Sequence, residues 1–450
     1  MKKLLLLLLF VLFFSASCQK NINNSINNNK NTTQKSTEKS VENTKKDSLK
    51  NKIAEIPCNF QLGNERLELY LALLKDKNVA LVVNHTSLIK AQEHLVDFLL
   101  DKKVNIKVIF APEHGFRGSA DAGEAVKNGI DTKTNLPIIS LYGNNKKPTN
   151  EQMKDIDVVI FDIQDVGARF YTYISTMHYV MEACAENQKK MLILDRPNPN
   201  NIPYEVVDGC ILDKKLTSFV GMHEIPILHG LTVGELALMI NGEKWLKNAI
   251  QCDLTVIKYT DFDCFMKNDK DNSNNKIENE NIPFFMSKVP PSPNLRSFRA
   301  VKLYASLCLF EGTIMSVGRG TQTPFELIGY PDKVYGDFSF IPKSIVGMAK
   351  TPLFENKECF GTDLRSFDIE KNKKQGIDLD YLIDFYQKRN QKDIKQNTFF
   401  NSFFDKLAGS DALRLQIIAG KSAKEIKKSW EKDLEKYKII RKKYLLYQKN

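Results

Sequence analysis

Five short apolar runs separated by helix-length stretches constrain the fold of this chain more than any other feature. They are Val79 to Asn84, Ile106 to Ala111, Pro137 to Tyr142, Val158 to Phe161 and Met191 to Leu194, with helices expected at His94 to Leu100 and Tyr171 to Asn187. A strand that is apolar at consecutive positions must be covered on both faces, and strands alternating with helices make a parallel sheet with helices on either side. The first half therefore reads as a Rossmann-like, doubly wound α/β domain, assigned to residues 56–270.

From Gly209 onward the pattern loosens. Leu231 to Asn241 reads as helix and Leu254 to Tyr259 as strand, while residues 267–281 are a polar run of Asn, Asp and Lys that reads as an exposed loop. Val289 to Leu295 carries three prolines and reads as a stiff extended connector. Residues 283–450 are expected to form a smaller α+β subdomain, with the boundary near 250–290. Ile426 to Tyr447 has apolar residues at roughly helical spacing, which fits a helix packed on the domain with a solvated basic face.

The net charge is +11, but its position says more than its size. Nine lysines stand against three acids in residues 1–50, and eleven basic residues against four acids in 421–450, which leaves 51–420 close to neutral. A nucleic-acid reader concentrates its basic excess on the folded domain, so no nucleic-acid partner is expected. Lys2 and Lys3 precede the apolar run Leu4 to Phe14, and Ser15, Ala16 and Ser17 then lead to Cys18. That is the layout of a signal peptide, over residues 1–17, ending in a bacterial lipobox with Cys18 as the lipidated residue. Residues 18–55, poor in apolar side chains, read as a disordered tether. The expectation is an exported protein on the periplasmic side, held to a membrane by its N-terminal lipid only.

The remaining cysteines are Cys58, Cys184, Cys210, Cys252, Cys264, Cys308 and Cys359. No C-x-x-C pair occurs, which argues against a disulfide framework or a zinc site; Cys184 and Cys308 read as core, and Cys252 with Cys264 is the one pair worth testing for a disulfide.

In an open parallel sheet, ligands bind beyond the carboxyl ends of the strands. Four of those ends release polar clusters: Asn84, His85 and Thr86; Glu113, His114 and Arg117; Asp162, Gln164, Asp165, Arg169, Tyr171 and Tyr173; and Asp195, Arg196, Asn198 and Asn200. Individual members also have structural readings, Asp195 paired with Arg196 or Asp165 as a turn residue before Gly167. Glu113 stands out. It follows a strand and Pro112 and precedes two glycines, so a stiff turn would hold its carboxyl in a cleft, unless Arg117 clasps it. Desolvation disfavours a carboxylate anion, and a carboxylic acid that keeps its proton can protonate a leaving oxygen. Glycoside hydrolysis generally needs a second carboxyl group; Asp162 and Asp165 are the candidates carried forward, with Asp121 and Glu124 also in reach.

Further along, Gly318, Arg319 and Gly320 lack the spacing and position of a dinucleotide fingerprint. His223 and His229 suit neither a zinc helix nor a strand face. No H-E-x-x-H, G-x-S-x-G or phosphate-binding P-loop occurs, so neither cofactor nor metal is expected.

The stretch F-A-P-E-H-G-F-R-G-S-A-D-A-G at Phe110 to Gly123 resembles the signature of the NamZ-type exo-β-N-acetylmuramidases, formerly a domain of unknown function. The resemblance continues through F-D-I-Q-D-V-G-A-R-F-Y-T-Y at Phe161, L-D-R-P-N-P at Leu194, P-S-P-N-L at Pro291, F-E-G-T at Phe310, G-R-G-T at Gly318 and R-K-K-Y-L-L-Y at Arg441. It implies a Rossmann-like domain with a smaller lobe, a cleft between them, and release of N-acetylmuramic acid from non-reducing ends of peptidoglycan-derived muropeptides or disaccharides. The acid/base glutamate of the family falls on Glu113. The sugar's lactyl carboxylate calls for basic anchors, for which Arg117, Arg169, Arg196 and Arg319 qualify; Asn84, His114, Tyr171 and Asn198 are further binding candidates. The rival readings are a non-catalytic peptidoglycan- or sugar-binding lipoprotein, a nucleotide-dependent enzyme and a structural cell-envelope anchor.

Overall fold

The structure, a computed structural model, describes residues 60–90, 93–117, 128–201, 205–260, 289–369, 376–392 and 399–447. Cys18, the tether, Cys58, Asp121, Glu124, Cys264 and the 267–281 loop lie outside the described residues. In chain order the main strands are β1 (Asn78–Val83), β2 (Asn105–Ala111), β3 (Gly129–Ile130), β4 (Pro137–Ser140), β5 (Val158–Asp162), β6 (Lys190–Leu194) and β7 (Asp253–Ile257). They form one sheet in the order β3-β4-β2-β1-β5-β6-β7, parallel throughout except for the short edge strand β3. Leaving that edge aside, the chain builds outward from β1 to one side, returns, and builds outward to the other, which is the strand order of a dinucleotide-type Rossmann fold.

Alternation within each strand explains why the sheet is covered twice. Val79, Leu81 and Val83 enter one core cluster with Leu95, Val96 and Leu99, whereas Ala80 and Val82 enter the other with Met177 and Met181. Three of the helices expected from sequence start one or two residues later, and the C-terminal one, expected over Ile426 to Tyr447, runs from Ala423 to Arg441. Helix α1 (Leu95–Asp101) begins after His94, whose imidazole accepts the Val96 N–H at 3.2 Å as a cap. Helix α2 (Tyr173–Glu186) begins after Thr172, and α3 (Val233–Gly242) after Thr232, which exchanges capping bonds with Glu235.

The second part opens with α4 (Phe298–Leu307) and holds an antiparallel sheet of β8 (Leu327–Tyr330), β9 (Phe338–Phe340) and β10 (Cys359–Asp363), with β10 central. Helices α5 (Asp380–Lys392), α6 (Phe404–Ala408), α7 (Ala412–Ile418) and α8 (Ala423–Arg441) follow. Helix α8 buries Ile426, Trp430, Leu434 and Tyr437, one stripe at helical spacing, and leaves its lysines outside. The α2-side core cluster runs without interruption into this part, through Val301, Tyr304, Phe310, Phe325, Phe385 and Trp430, and residues 58–450 form one compact unit. Cys184, Cys252 and Cys308 are buried free thiols.

The crevice where β1 and β5 diverge is the place where this topology usually takes a ligand. Here the chain's own polar groups close it. Asn84 Oδ1 accepts the Thr86 N–H and hydroxyl at 2.9 and 2.6 Å, and Thr86 Oγ1 accepts the Gln164 N–H at 3.0 Å. The Ser87 hydroxyl donates to the Asp162 carbonyl. Arg196 forks onto both oxygens of Asp162 at 2.7 and 3.0 Å, with Asn64 donating to the same carboxylate at 3.0 Å. Both ionic side chains are essentially inaccessible, at 1% and 0% exposure. Removing one member of such a pair strands the other's charge. Arg196→Met is expected to destabilise the protein by about 3–5 kcal/mol, and Asp162→Leu added to it to restore part of the loss. Urea unfolding of the two variants measures this; equal stability of Arg196→Met and the parent protein would remove the pair from its structural role.

Candidate active site

Strand β2 ends at Ala111 and the chain turns at once, with the Gly115 N–H bonded to the Pro112 carbonyl at 3.0 Å. His114 sits inside the turn at φ +69°, a left-handed conformation that histidine tolerates better than most residues, and its ring is buried. Anchors follow directly. Phe116 packs edge-on against His94 at 4.7 Å, and Arg117 lies over Phe116 while forking onto Asp131 at 3.0 and 2.8 Å. Arg117 is therefore committed away from Glu113, and Glu113 stands half-buried on a turn pinned at both ends.

Glu113 lines a cavity of about 600 Å³ bounded by both parts of the chain. Tyr142, Phe170, Thr172 and Val220 come from the sheet side; Tyr304, Cys308, Glu311, Arg319, the segment Met348 to Leu353, Phe403 and Leu407 come from the other. The Thr172 hydroxyl, just ahead of α2, donates to Glu113 Oε2 at 2.6 Å. The Tyr142 hydroxyl also bonds to Glu113; burial first, then the neighbouring Glu113 charge, pushes that phenol well above its ordinary range, so it stays a donor.

A second carboxylate lining the cavity, Glu311, occupies the 3-10 helix Cys308–Gly312 that follows α4. Arg319 Nε donates to Glu311 Oε1 at 2.5 Å, and the guanidinium lies over Phe325 at 5.0 Å. Gly320 lets the Arg319 loop pack closely, since a Cβ there would meet Pro352 at 2.6 Å and the Lys343 carbonyl at 2.7 Å. The Asn294 amide holds the facing wall by donating to the Met348 carbonyl at 2.8 Å.

Of the residues singled out from sequence, Glu113 and Arg319 line this cavity, and the others have different employment. Asp162 and Arg196 consume each other in the switch crevice, so the expected pairing of Asp195 with Arg196 gives way. Asp195 instead accepts bonds from the Arg196 and Gly234 N–H groups and from the Thr232 and Tyr447 hydroxyls. Asp165 is the turn residue, with Oδ2 accepting the Gly167 N–H at 2.6 Å, and its full burial raises its pKa to about 7. Arg169 is buried and donates to the carbonyls of Cys210, Ile225, Leu407 and Ala408. Asn84 holds the turn after β1, Asn198 donates to the Leu231 carbonyl, and Tyr171 donates to the Pro291 carbonyl. His114 shapes the Glu113 turn. Glu311, Tyr142 and Thr172 are the site residues that sequence reasoning passes over; the F-E-G-T run around Glu311 is the signal that could have found the first.

Two carboxylates on one cavity beside a Rossmann-type sheet, one among hydroxyls and one against a guanidinium, are the equipment of a glycosidase. Family models described as "Exo-beta-N-acetylmuramidase NamZ", N-terminal and C-terminal, match residues 79–299 and 302–447. The chain belongs to this family. It is 38% identical over 413 residues to a "Peptidoglycan beta-N-acetylmuramidase NamZ" of Bacillus subtilis (strain 168), covering 88% of this chain and 94% of the relative. Two crystal structures of DUF1343 family proteins from Bacteroides fragilis NCTC 9343 share the fold. One is 45% identical with a TM-score of 0.73, the other 27% with 0.70, and each alignment covers 87% of this chain and 100% of theirs.

The hydrogen bonds to Glu113 have a measurable consequence. Thr172→Val is expected to lower kcat by about tenfold with KM little changed, the size of one hydrogen bond to a charged group; steady-state kinetics checks it, and a change in KM alone would show that Thr172 serves binding only.

Proposed function

We propose that the protein is an exo-acting β-N-acetylmuramidase, releasing N-acetylmuramic acid from the non-reducing ends of peptidoglycan-derived glycans in cell-wall turnover. The observation that carries this reading is the convergence of Glu113 and Glu311, from the two parts of the chain, on one cavity. Their surroundings divide the labour. Glu311, ion-paired to Arg319, is the carboxylate placed to stabilise the positive charge developing at the anomeric carbon. Glu113 has hydroxyl partners, Thr172 and Tyr142, which can donate to a carboxylate or accept from a carboxylic acid. It is therefore placed to hand a proton to the glycosidic oxygen and later regain one. The family membership and the curated relative's name support the same substrate.

Turnover of a chromogenic N-acetylmuramide tests the assignment. Glu113→Gln is expected to cut kcat by more than about 100-fold while sugar binding persists. Undiminished turnover would favour a different acid, and binding without turnover in the parent protein would favour the sugar-holding alternative.

We further propose export and attachment to the periplasmic side of a cell-envelope membrane through lipid on Cys18. The apolar run Leu4 to Phe14 and the Ser-Ala-Ser-Cys sequence after it support this. Mass spectrometry of the mature N-terminal peptide should find an acylated Cys18, and Cys18→Ser should move the protein from the membrane to the soluble fraction; an unmodified Cys18 would rule the anchor out.

A further inference from the structure

Four arginines qualify by sequence as anchors for the acidic part of the sugar, and the structure leaves one. Arg117 is spent on Asp131, Arg169 on four backbone carbonyls and Arg196 on Asp162. Arg319 lines the cavity. Its Nε is taken by Glu311 and its plane is held over Phe325, while 26% of the side chain stays accessible. The remaining N–H groups are fixed in direction by the fork that Glu311 and Phe325 orient.

The charges around the cavity point the same way. Its lining includes two carboxylates, Glu113 and Glu311, and two cations, Arg319 and Lys350. When Glu113 carries the proton that general-acid catalysis requires, the cations exceed the anions by one. A cavity in that state takes up a singly charged anion more readily than a neutral ligand.

We infer that the accessible edge of the Arg319 guanidinium is the anchor for the lactyl carboxylate of N-acetylmuramic acid, and that this contact is what separates N-acetylmuramides from N-acetylglucosaminides, which lack the lactyl group. The inference rests on the muramidase reading above and assigns the residue that decides the substrate's acidic substituent. Arg319 then has two tasks, one edge on Glu311 and the other on the ligand. A merely structural arginine would have only the first.

The test compares 4-nitrophenyl β-glycosides of N-acetylmuramic acid, of its lactyl methylamide and of N-acetylglucosamine, in the parent protein, Arg319→Gln and Arg319→Lys. In the parent protein kcat/KM should favour the free acid over the methylamide. In Arg319→Gln the free acid should lose about 10- to 100-fold more than the methylamide, so that the preference collapses. Arg319→Lys, which keeps a positive charge near Glu311 without the planar fork, should regain part of the preference. Calorimetric binding of N-acetylmuramic acid against its methylamide gives the same comparison for any variant that is folded but inactive. Equal losses on all three substrates, with the preference intact, would overturn the anchor and leave Arg319 as a support for Glu311. A parent protein that hydrolyses the acid and the methylamide equally well overturns the anchor while the hydrolase stands; one that hydrolyses none of the three overturns the muramidase reading itself.

Discussion

The buried ion pair between Arg196 and Asp162 decides where chemistry can happen in this molecule. A Rossmann-type sheet offers a crevice where its strands diverge, and in this chain two charged side chains and several Asn, Ser and Thr groups bond to one another there. Burying a matched pair is tolerable and burying half of one is not. The crevice is therefore committed to holding strand ends together. The functional cavity lies instead at the end of β2, where Glu113 meets residues of the second part.

That displacement explains what can be read from the sequence. The strands are legible because their apolar runs face a core on each side, and the main helices because their caps and apolar stripes bracket them. Glu113 is legible because Pro112 and the glycines announce a stiff turn at a strand end. The partner carboxylate is not: Glu311 follows a helix in the second part, where a rule about strand ends does not look. Arginines mislead for a simpler reason. Beside glycine and proline, an arginine waiting for a ligand reads the same as Arg169, whose partners are carbonyls 41 to 239 residues away. Asp162 and Asp165 mislead likewise, since a carboxylate at a strand end suits a turn or an ion pair as well as a reaction.

The two carboxylates illustrate how one kind of side chain is given two tasks by its neighbours. A guanidinium at 2.5 Å holds Glu311 in an ion pair, whereas Glu113 meets the hydroxyls of Thr172 and Tyr142. Both arrangements depend on the continuous core beneath them, because Glu113 is carried by the sheet and Glu311 by the segment after α4, and the same apolar cluster packs under both.

The far end of the described chain returns to the sheet. Tyr447 stacks on Tyr259 at 3.8 Å and donates to the buried Asp195, and Arg441 reaches the Gly230 carbonyl. A ribosome delivers Asp195 some 250 residues before it delivers Tyr447, so during synthesis this carboxylate waits, one donor short, for a residue not yet made. Nascent chains usually complete their N-terminal domains first; here the sheet's last hydrogen bond to Asp195 becomes available only when the C-terminal helix has emerged, which ties completion of the first half of the molecule to completion of the whole.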